Sequence, residues 1–270
     1  MKFGVCCTIA DAAPCADAGF DYFEAGVAEA FAPAEGDEVW QEKKRALAAA
    51  PLPLRACNGF LPGTFRLTGP EADHGSALDY AERACRRADE VGCKFIVLGS
   101  GGARNVPGGF APGLQPPDIE GAYAQFTAFC KALADRIADC RVTVVLEPLR
   151  ANESNLLNYV WQGMQIVRDV DSPRLEVLAD FYHMMRGREG AESIVEAGPH
   201  LKHCHVAMRA SRAWPGYEPA FELAPYFEAL GKIGYAGGIS CECGWPLREG
   251  QDLAAARVEA LATLRSLAGQ

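Results

Sequence analysis

Apolar and polar positions along this chain switch repeatedly between two periods. Short apolar, β-branched or cysteine-rich runs fall at Phe3–Cys7, Tyr22–Gly26, Leu54–Phe60, Phe95–Gly99, Val142–Glu147, Leu175–Asp180, Leu201–Ala207 and Gly238–Cys243. Between them apolar residues recur at helical spacing, most clearly over Ala77–Val91, Tyr123–Ala138, Tyr159–Val170 and Leu253–Leu267. Shorter helical stretches cover Trp40–Ala50, Ala191–Ala197 and Tyr226–Ile233. Val142–Leu146 is apolar at every position, which suits a parallel strand covered on both faces. Gly19, Gly92, Gly198 and Gly234 each close a helical stretch ahead of a strand, because glycine accepts the left-handed conformation that ends a helix.

Eight strand-then-helix repeats predict an α/β fold, a single (β/α)8 barrel with residues 1–270 as one domain. An open doubly wound sheet often carries a glycine-rich phosphate loop after its first strand. Here that place holds Thr8-Ile9-Ala10-Asp11. Two irregular stretches rich in Gly and Pro, Gly99–Asp118 and Met208–Pro219, both follow strands, where loops of this architecture carry function.

Composition narrows the function classes. The chain has 270 residues, 49% hydrophobic and 23% charged, which is enough apolar material for a large core. Its formal net charge of −9 disfavours a nucleic-acid partner, since that affinity comes from cations displacing counterions. Eleven cysteines, an odd number with no CxxC pair, point to free thiols in a reducing, cytoplasmic setting. No apolar stretch is long enough to span a membrane, and the segment between Lys2 and Asp11 is too short for a signal peptide.

The active site of such a barrel lies at the C-terminal ends of its strands. The polar residues expected there are Glu24, Glu147, Asp180, His205 and Glu242. Strand pleating sharpens the expectation. In Cys241-Glu242-Cys243 the thiols share one face and the carboxylate takes the other; in His203-Cys204-His205 both imidazoles share a face. Thiols packed under the helices therefore turn Glu242 and His205 into the barrel. Carboxylates and an imidazole crowded at a barrel mouth must be protonated, paired or coordinated. Lys and Arg are absent from the strand ends, which favours one divalent cation. Oxygen-rich ligands with one nitrogen suit Mn²⁺, Mg²⁺ or Co²⁺ better than Zn²⁺. Each residue also has a plainer reading: Asp180 as a helix N-cap, Glu24 and His203 as internal hydrogen-bond partners, and the CxC as core.

The order Glu147-Pro148-Leu149 with Glu153, Asp180-x-x-His183, His203-x-His205, Arg212-x-x-Pro215-Gly216 and Glu242 resembles the xylose-isomerase-like barrel family. Ketose 3-epimerases, hydroxypyruvate isomerases and inosose dehydratases belong to it. The resemblance covers nearly the whole chain and includes the turn Leu98-Gly99-Ser100-Gly101-Gly102-Ala103-Arg104. It implies metal ligands Glu147, Asp180, His205 and Glu242, with Glu147 and Glu242 also catalytic. It implies a substrate-facing set of Glu153, His183 and Arg212, to which Glu24 and His203 are added here. Two departures bear on that set. The interval from His205 to Arg212 is one residue longer than in the ketose epimerases. The residues after His205 read Val206-Ala207-Met208-Arg209, so Arg209 is a second candidate for gripping substrate. Arg104 is a candidate phosphate anchor or a loop salt bridge.

The implied activity is that of a metal-dependent isomerase or epimerase acting through an enediolate on a small ketose, hydroxy-keto acid or cyclitol. The implied assembly is a homodimer or homotetramer. Dehydration of an inosose-type substrate would use the same carboxylates. Repair hydrolysis of abasic DNA, the chemistry of a sister branch, would want more histidines and a basic groove. A non-catalytic metal- or sugar-binding barrel is the remaining alternative.

Overall fold

In the computed structural model, which describes residues 1–108 and 118–270, eight parallel strands close on themselves in chain order. They are β1 (Lys2–Cys6), β2 (Tyr22–Gly26), β3 (Leu54–Asn58), β4 (Phe95–Leu98), β5 (Thr143–Leu146), β6 (Leu175–Asp180), β7 (Leu201–Val206) and β8 (Gly238–Cys241). β8 returns to β1 along the register from Lys2–Gly238 to Val5–Cys241. Every expected strand is present, and the differences lie at the ends. β5 and β8 stop one residue before Glu147 and Glu242, which leaves those carboxylates on the rim. β2 keeps its expected bounds, which put Glu24 mid-strand rather than at the strand end where it was expected.

Among the described residues, the helices Val27–Phe31, Gly101–Arg104 and Phe181–Gly187 were not signalled by periodicity, and Ala12–Asp17 was marked only by the glycine that closes it. Each is too short for a 3.6-residue repeat to register. Gly101–Arg104 opens the Gly99–Asp118 stretch, of which residues 109–117 lie outside the described residues.

The main core fills the layer between strands and helices, where Cys204 and Cys241 join Phe126, Leu133, Ile166 and Leu230. That settles the pleat: their neighbours His203, His205 and Ser240 turn into the barrel. The barrel interior is divided. On one side Val97, Val145 and Leu178 make an apolar cluster against Phe95. On the other, Tyr22, Glu24, His203, His205 and Ser240 are fully or nearly fully buried. Gly4 makes room for this polar half, since a Cβ there would overlap the Tyr22 ring. All eleven cysteines are free and eight are buried. Among the described residues, no helix is long and apolar enough to cross a membrane.

Candidate metal-binding active site

Asp180 ends β6 and caps the helix Phe181–Gly187 at the same time. Its Oδ1 accepts the backbone N–H groups of Tyr182 (2.7 Å) and His183 (3.2 Å). The cap therefore leaves Oδ2 free, 3.7 Å from His183 Nε2. One donor atom each from Glu147, Asp180, His183 and Glu242 lies within 4.8 Å of the others. His205 also reaches this group, with Nδ1 3.0 Å from Glu147 Oε1 and 3.8 Å from Glu242 Oε2. The site thus holds three carboxylates and two imidazoles. Compactness alone puts His183 where His205 was expected.

Hydrogen bonding separates the two rings. His205 Nε2 faces Glu24 Oε1 at 2.9 Å, and a carboxylate can only accept. Glu24 therefore keeps a proton on Nε2, while Nδ1 shares a second proton with Glu147 Oε1 (3.0 Å); a cation displacing that second proton would meet the Nδ1 lone pair. His183 is wired in the opposite sense. Its Nδ1 accepts the Arg150 backbone N–H (3.2 Å), so its proton sits on Nε2. That Nε2 is buried and makes no hydrogen bond among the described residues. His183 therefore presents an N–H to the site.

Glu24 and His203 lie beneath this layer, a correction to their expected place against substrate. Both are 0% exposed because their strands run on above them. Glu24 Oε2 takes His203 Nε2 (2.8 Å) and the Ser240 hydroxyl (2.7 Å), while Oε1 takes His205. Burial opposes charge on Glu24, but His205 and His203 hold its carboxyl well below the usual range. It serves as a fixed anion that orients His205.

The loops supply the cations that the strand ends lack. Arg212, after β7, donates to Glu242 Oε2 (2.9 Å) and Glu153 Oε1 (3.2 Å), and its guanidinium lies 4.8 Å from the centre of the Tyr182 ring. It holds a left-handed backbone conformation (φ 54°), a strain of about 1–2 kcal/mol for a residue with a Cβ. The neighbouring Ala213–Gly244 bridge and the Gly244 N–H bond to the Arg212 carbonyl (2.8 Å) fix it there. Arg209 is instead paired with Glu222 at 3.0 Å, so Arg212 is the arginine at the site.

Arg104 is neither a loop salt bridge nor a phosphate anchor, contrary to both expectations. It is fully buried and donates to the carbonyls of Leu98, Glu147, Leu156 and Leu157 and to Ser154 Oγ. Burial lowers it to about 10, with Glu147 opposing. It fastens the backbone behind Glu147. Sequence reasoning also passed over Arg150, which bonds Glu153 Oε1 (2.7 Å), and Asn58, which bonds Glu242 Oε1 (3.1 Å). The expected strand runs through Asn58 to Phe60, whereas β3 ends at Asn58, so Asn58 is not among the expected strand-end residues.

The donor set fits a dication. Burial, together with Glu147 and Asp180 and against the pull of His205, pushes Glu242 up to about 8. Burial also opposes charge on His205, yet Glu24, Glu242 and Glu147 raise it well above the ordinary imidazole range. Without a cation, protons must hold this cluster together; a dication could replace them.

The xylose isomerase-like TIM barrel family matches residues 12–267. The chain belongs to that family. Within it, a probable ketose 3-epimerase of Synechocystis sp. is 27% identical over 70% of this chain and 63% of its own length. The D-psicose 3-epimerase of Agrobacterium fabrum is 30% identical over 47% of this chain and 44% of its own. A putative hydroxypyruvate isomerase of Drosophila melanogaster is 26% identical over 70% of this chain and 65% of its own. These alignments span less than two thirds of the relatives' lengths. Solved structures of the family share the barrel throughout. D-psicose 3-epimerase crystallised in the presence of D-fructose superposes with a TM-score of 0.81 at 22% identity, covering 100% of both chains. The E. coli 3-keto-D-glucoside 4-epimerase gives 0.82 at 23% identity, covering 98% of this chain and 99% of its own.

Proposed function

We propose that this barrel is a divalent-metal-dependent isomerase or epimerase of a small ketose or hydroxy-keto compound, working through an enediolate. The observation that carries the reading is the opposed wiring of the two histidines. Glu24 keeps a proton on His205 Nε2 and leaves Nδ1 to meet a cation in place of the proton it shares with Glu147, whereas His183 turns an Nε2–H toward the same carboxylates. Glu147, Asp180, His205 and Glu242 would hold the cation, with Mn²⁺, Mg²⁺ or Co²⁺ favoured by the oxygen-rich set. Bound there, the cation would supply Lewis-acid stabilisation of the negative charge that develops on the substrate oxygens.

The chain's own groups account for the rest. A C–H beside a carbonyl is too weakly acidic to ionise in water at a useful rate, so a base must meet it and the growing oxyanion must be offset. Glu147 follows β5 and Glu242 follows β8, three strands apart around an eight-stranded ring, so they approach a substrate from different sides. One removes the proton and the other returns it. Return to the opposite face of the same carbon inverts it, and return to the neighbouring carbon exchanges aldose for ketose. His183 Nε2–H donates to a substrate oxygen. Glu153, held by Arg150 and Arg212, accepts from a hydroxyl. Relatives named as ketose epimerases, a 3-keto-glucoside epimerase and a hydroxypyruvate isomerase support a carbonyl-adjacent proton transfer.

The test is a screen of ketoses, hydroxypyruvate and inososes in deuterium oxide with Mn²⁺, read by NMR and mass spectrometry. The expected result is solvent label at the carbon next to the carbonyl, lost in Glu147→Gln and Glu242→Gln. Full turnover by either variant would end the proposal.

A further inference from the structure

Glu242 is gripped at both of its oxygens, and the two grips come from different walls of the barrel. Oε2 takes Arg212 Nη2 at 2.9 Å and faces His205 Nδ1 at 3.8 Å. Oε1 points the other way, toward β1 and β3, where Asn58 Nδ2 donates to it at 3.1 Å. The second Asn58 Nδ2 proton reaches Cys6 Sγ at 3.6 Å. Cys6 and Asn58 end their strands at the rim, and neither is fully buried. With Nδ2 on this side the amide can serve both Oε1 and Cys6 Sγ, and it remains a donor to Glu242 when that carboxyl ionises.

We propose that Asn58 is a positioning residue for Glu242. It fixes the plane of the carboxylate with Oε1 on the β3 side and leaves Oε2 toward His205 and Arg212. Two consequences follow from holding one carboxylate by two neutral or cationic donors on opposite edges. Its oxygens become chemically distinct, Oε2 turned to the cluster and Oε1 held on the β3 side. Its rotation about the terminal bond, which a rim residue just past its strand would otherwise retain, is removed. Glu147 is held by different means: His205 on Oε1, and Gly99, where a Cβ would overlap Oε2. Asn58 therefore acts on one of the two proton-transferring carboxylates and not on the other.

This inference rests on the two-carboxylate reading above, and an asymmetric experiment separates them. Asn58→Leu keeps the heavy-atom branching and removes the donor, whereas Asn58→Asp keeps the shape and adds a like charge. Each Mn²⁺-loaded protein is given each member of the ketose pair that the native protein interconverts, in deuterium oxide. From the epimer whose proton Glu147 removes, label should wash into recovered substrate within about threefold of the native rate. Product formation should fall by about 30–100-fold in Asn58→Leu, the cost of a misplaced catalytic group. From the other epimer, washout and product formation should fall together. Asn58→Asp should be the more impaired variant. Mn²⁺ affinity should stay within about threefold and the unfolding midpoint should be unchanged in Asn58→Leu, since no ligand or core contact is lost.

Equal slowing from both epimers, native rates in Asn58→Leu, or a loss explained wholly by weaker Mn²⁺ binding would overturn the role of Asn58 while leaving the proposed reaction standing. Absence of any exchange by the native protein across the substrate screen would remove both.

Discussion

His205 Nε2 and Glu24 Oε1 meet at 2.9 Å in a pocket where neither residue has any exposed surface. That bond keeps a proton on Nε2, so a cation could meet only Nδ1, once the proton that Nδ1 shares with Glu147 has left. Replacing Glu24 with Gln keeps the shape but lets either amide end face the ring. Mn²⁺ affinity should fall by about 10–100-fold, the usual cost of removing a partner behind a metal-ligating imidazole. Calorimetric titration of the purified apo-protein with Mn²⁺ measures this, and unchanged affinity would separate Glu24 from the metal site.

The two histidines should separate cleanly under mutation. His205→Asn should abolish tight Mn²⁺ binding. His183→Asn should hold Mn²⁺ within about threefold yet lower kcat by about 100–1,000-fold, as loss of an oxyanion donor does. The same titration paired with steady-state rates tests both. The reverse assignment would show as metal loss in the His183 variant.

Metal binding should strengthen as pH rises. Glu242, pushed up to about 8 by burial and the neighbouring carboxylates, must release its proton before it can coordinate. Affinity should rise by at least about tenfold per pH unit below 8 and keep rising above it while His205 still carries its second proton. The apo-protein should respond in the opposite sense. A carboxyl raised in the folded state contributes stability below its unfolded pKa and loses that contribution as pH climbs toward 8. Mn²⁺ titrations and apo-protein melts between pH 5 and 9 measure the two trends.

Arg104 gives a stability prediction. Arg104→Leu leaves several buried carbonyls without donors, at about 1–3 kcal/mol for each that water cannot reach, so a total loss of at least about 3 kcal/mol is expected. Arg104→Lys should recover only part, because an ammonium cannot reproduce the guanidinium fork. Urea unfolding of the apo-protein provides the comparison.

The alternation of strands and helices was readable because period-two and period-3.6 runs followed one another without a break. Glu242 was readable for a local reason, since the thiols on either side of it set the pleat. Glu24 was misplaced in height although its strand has the expected bounds, because a polar residue inside an apolar run reads as the strand end. Its strand runs to Gly26. For Asp180 the choice between cap and ligand was a false one, since Oδ1 caps the helix and Oδ2 faces the cluster. Arg104 looked like a loop cation because it follows two glycines; only tertiary packing shows that it folds inward to the carbonyls behind Glu147. Arg212 Nη2 and Asn58 Nδ2 bond Glu242 from positions 30 and 184 residues away, a distance that no local pattern encodes.

Ala213 pairs with Gly244, and the Gly244 amide bonds the Arg212 carbonyl. The guanidinium that braces Glu153 and the carboxylate of Glu242 are therefore carried on one short ribbon. Moving Glu242 aside to admit or release a cation also withdraws the arm expected to close over a sugar. On the proposed reading, cation exchange and substrate retention would be linked through this ribbon, so a sugar-bound protein should surrender its ion to a chelator more slowly than one without sugar.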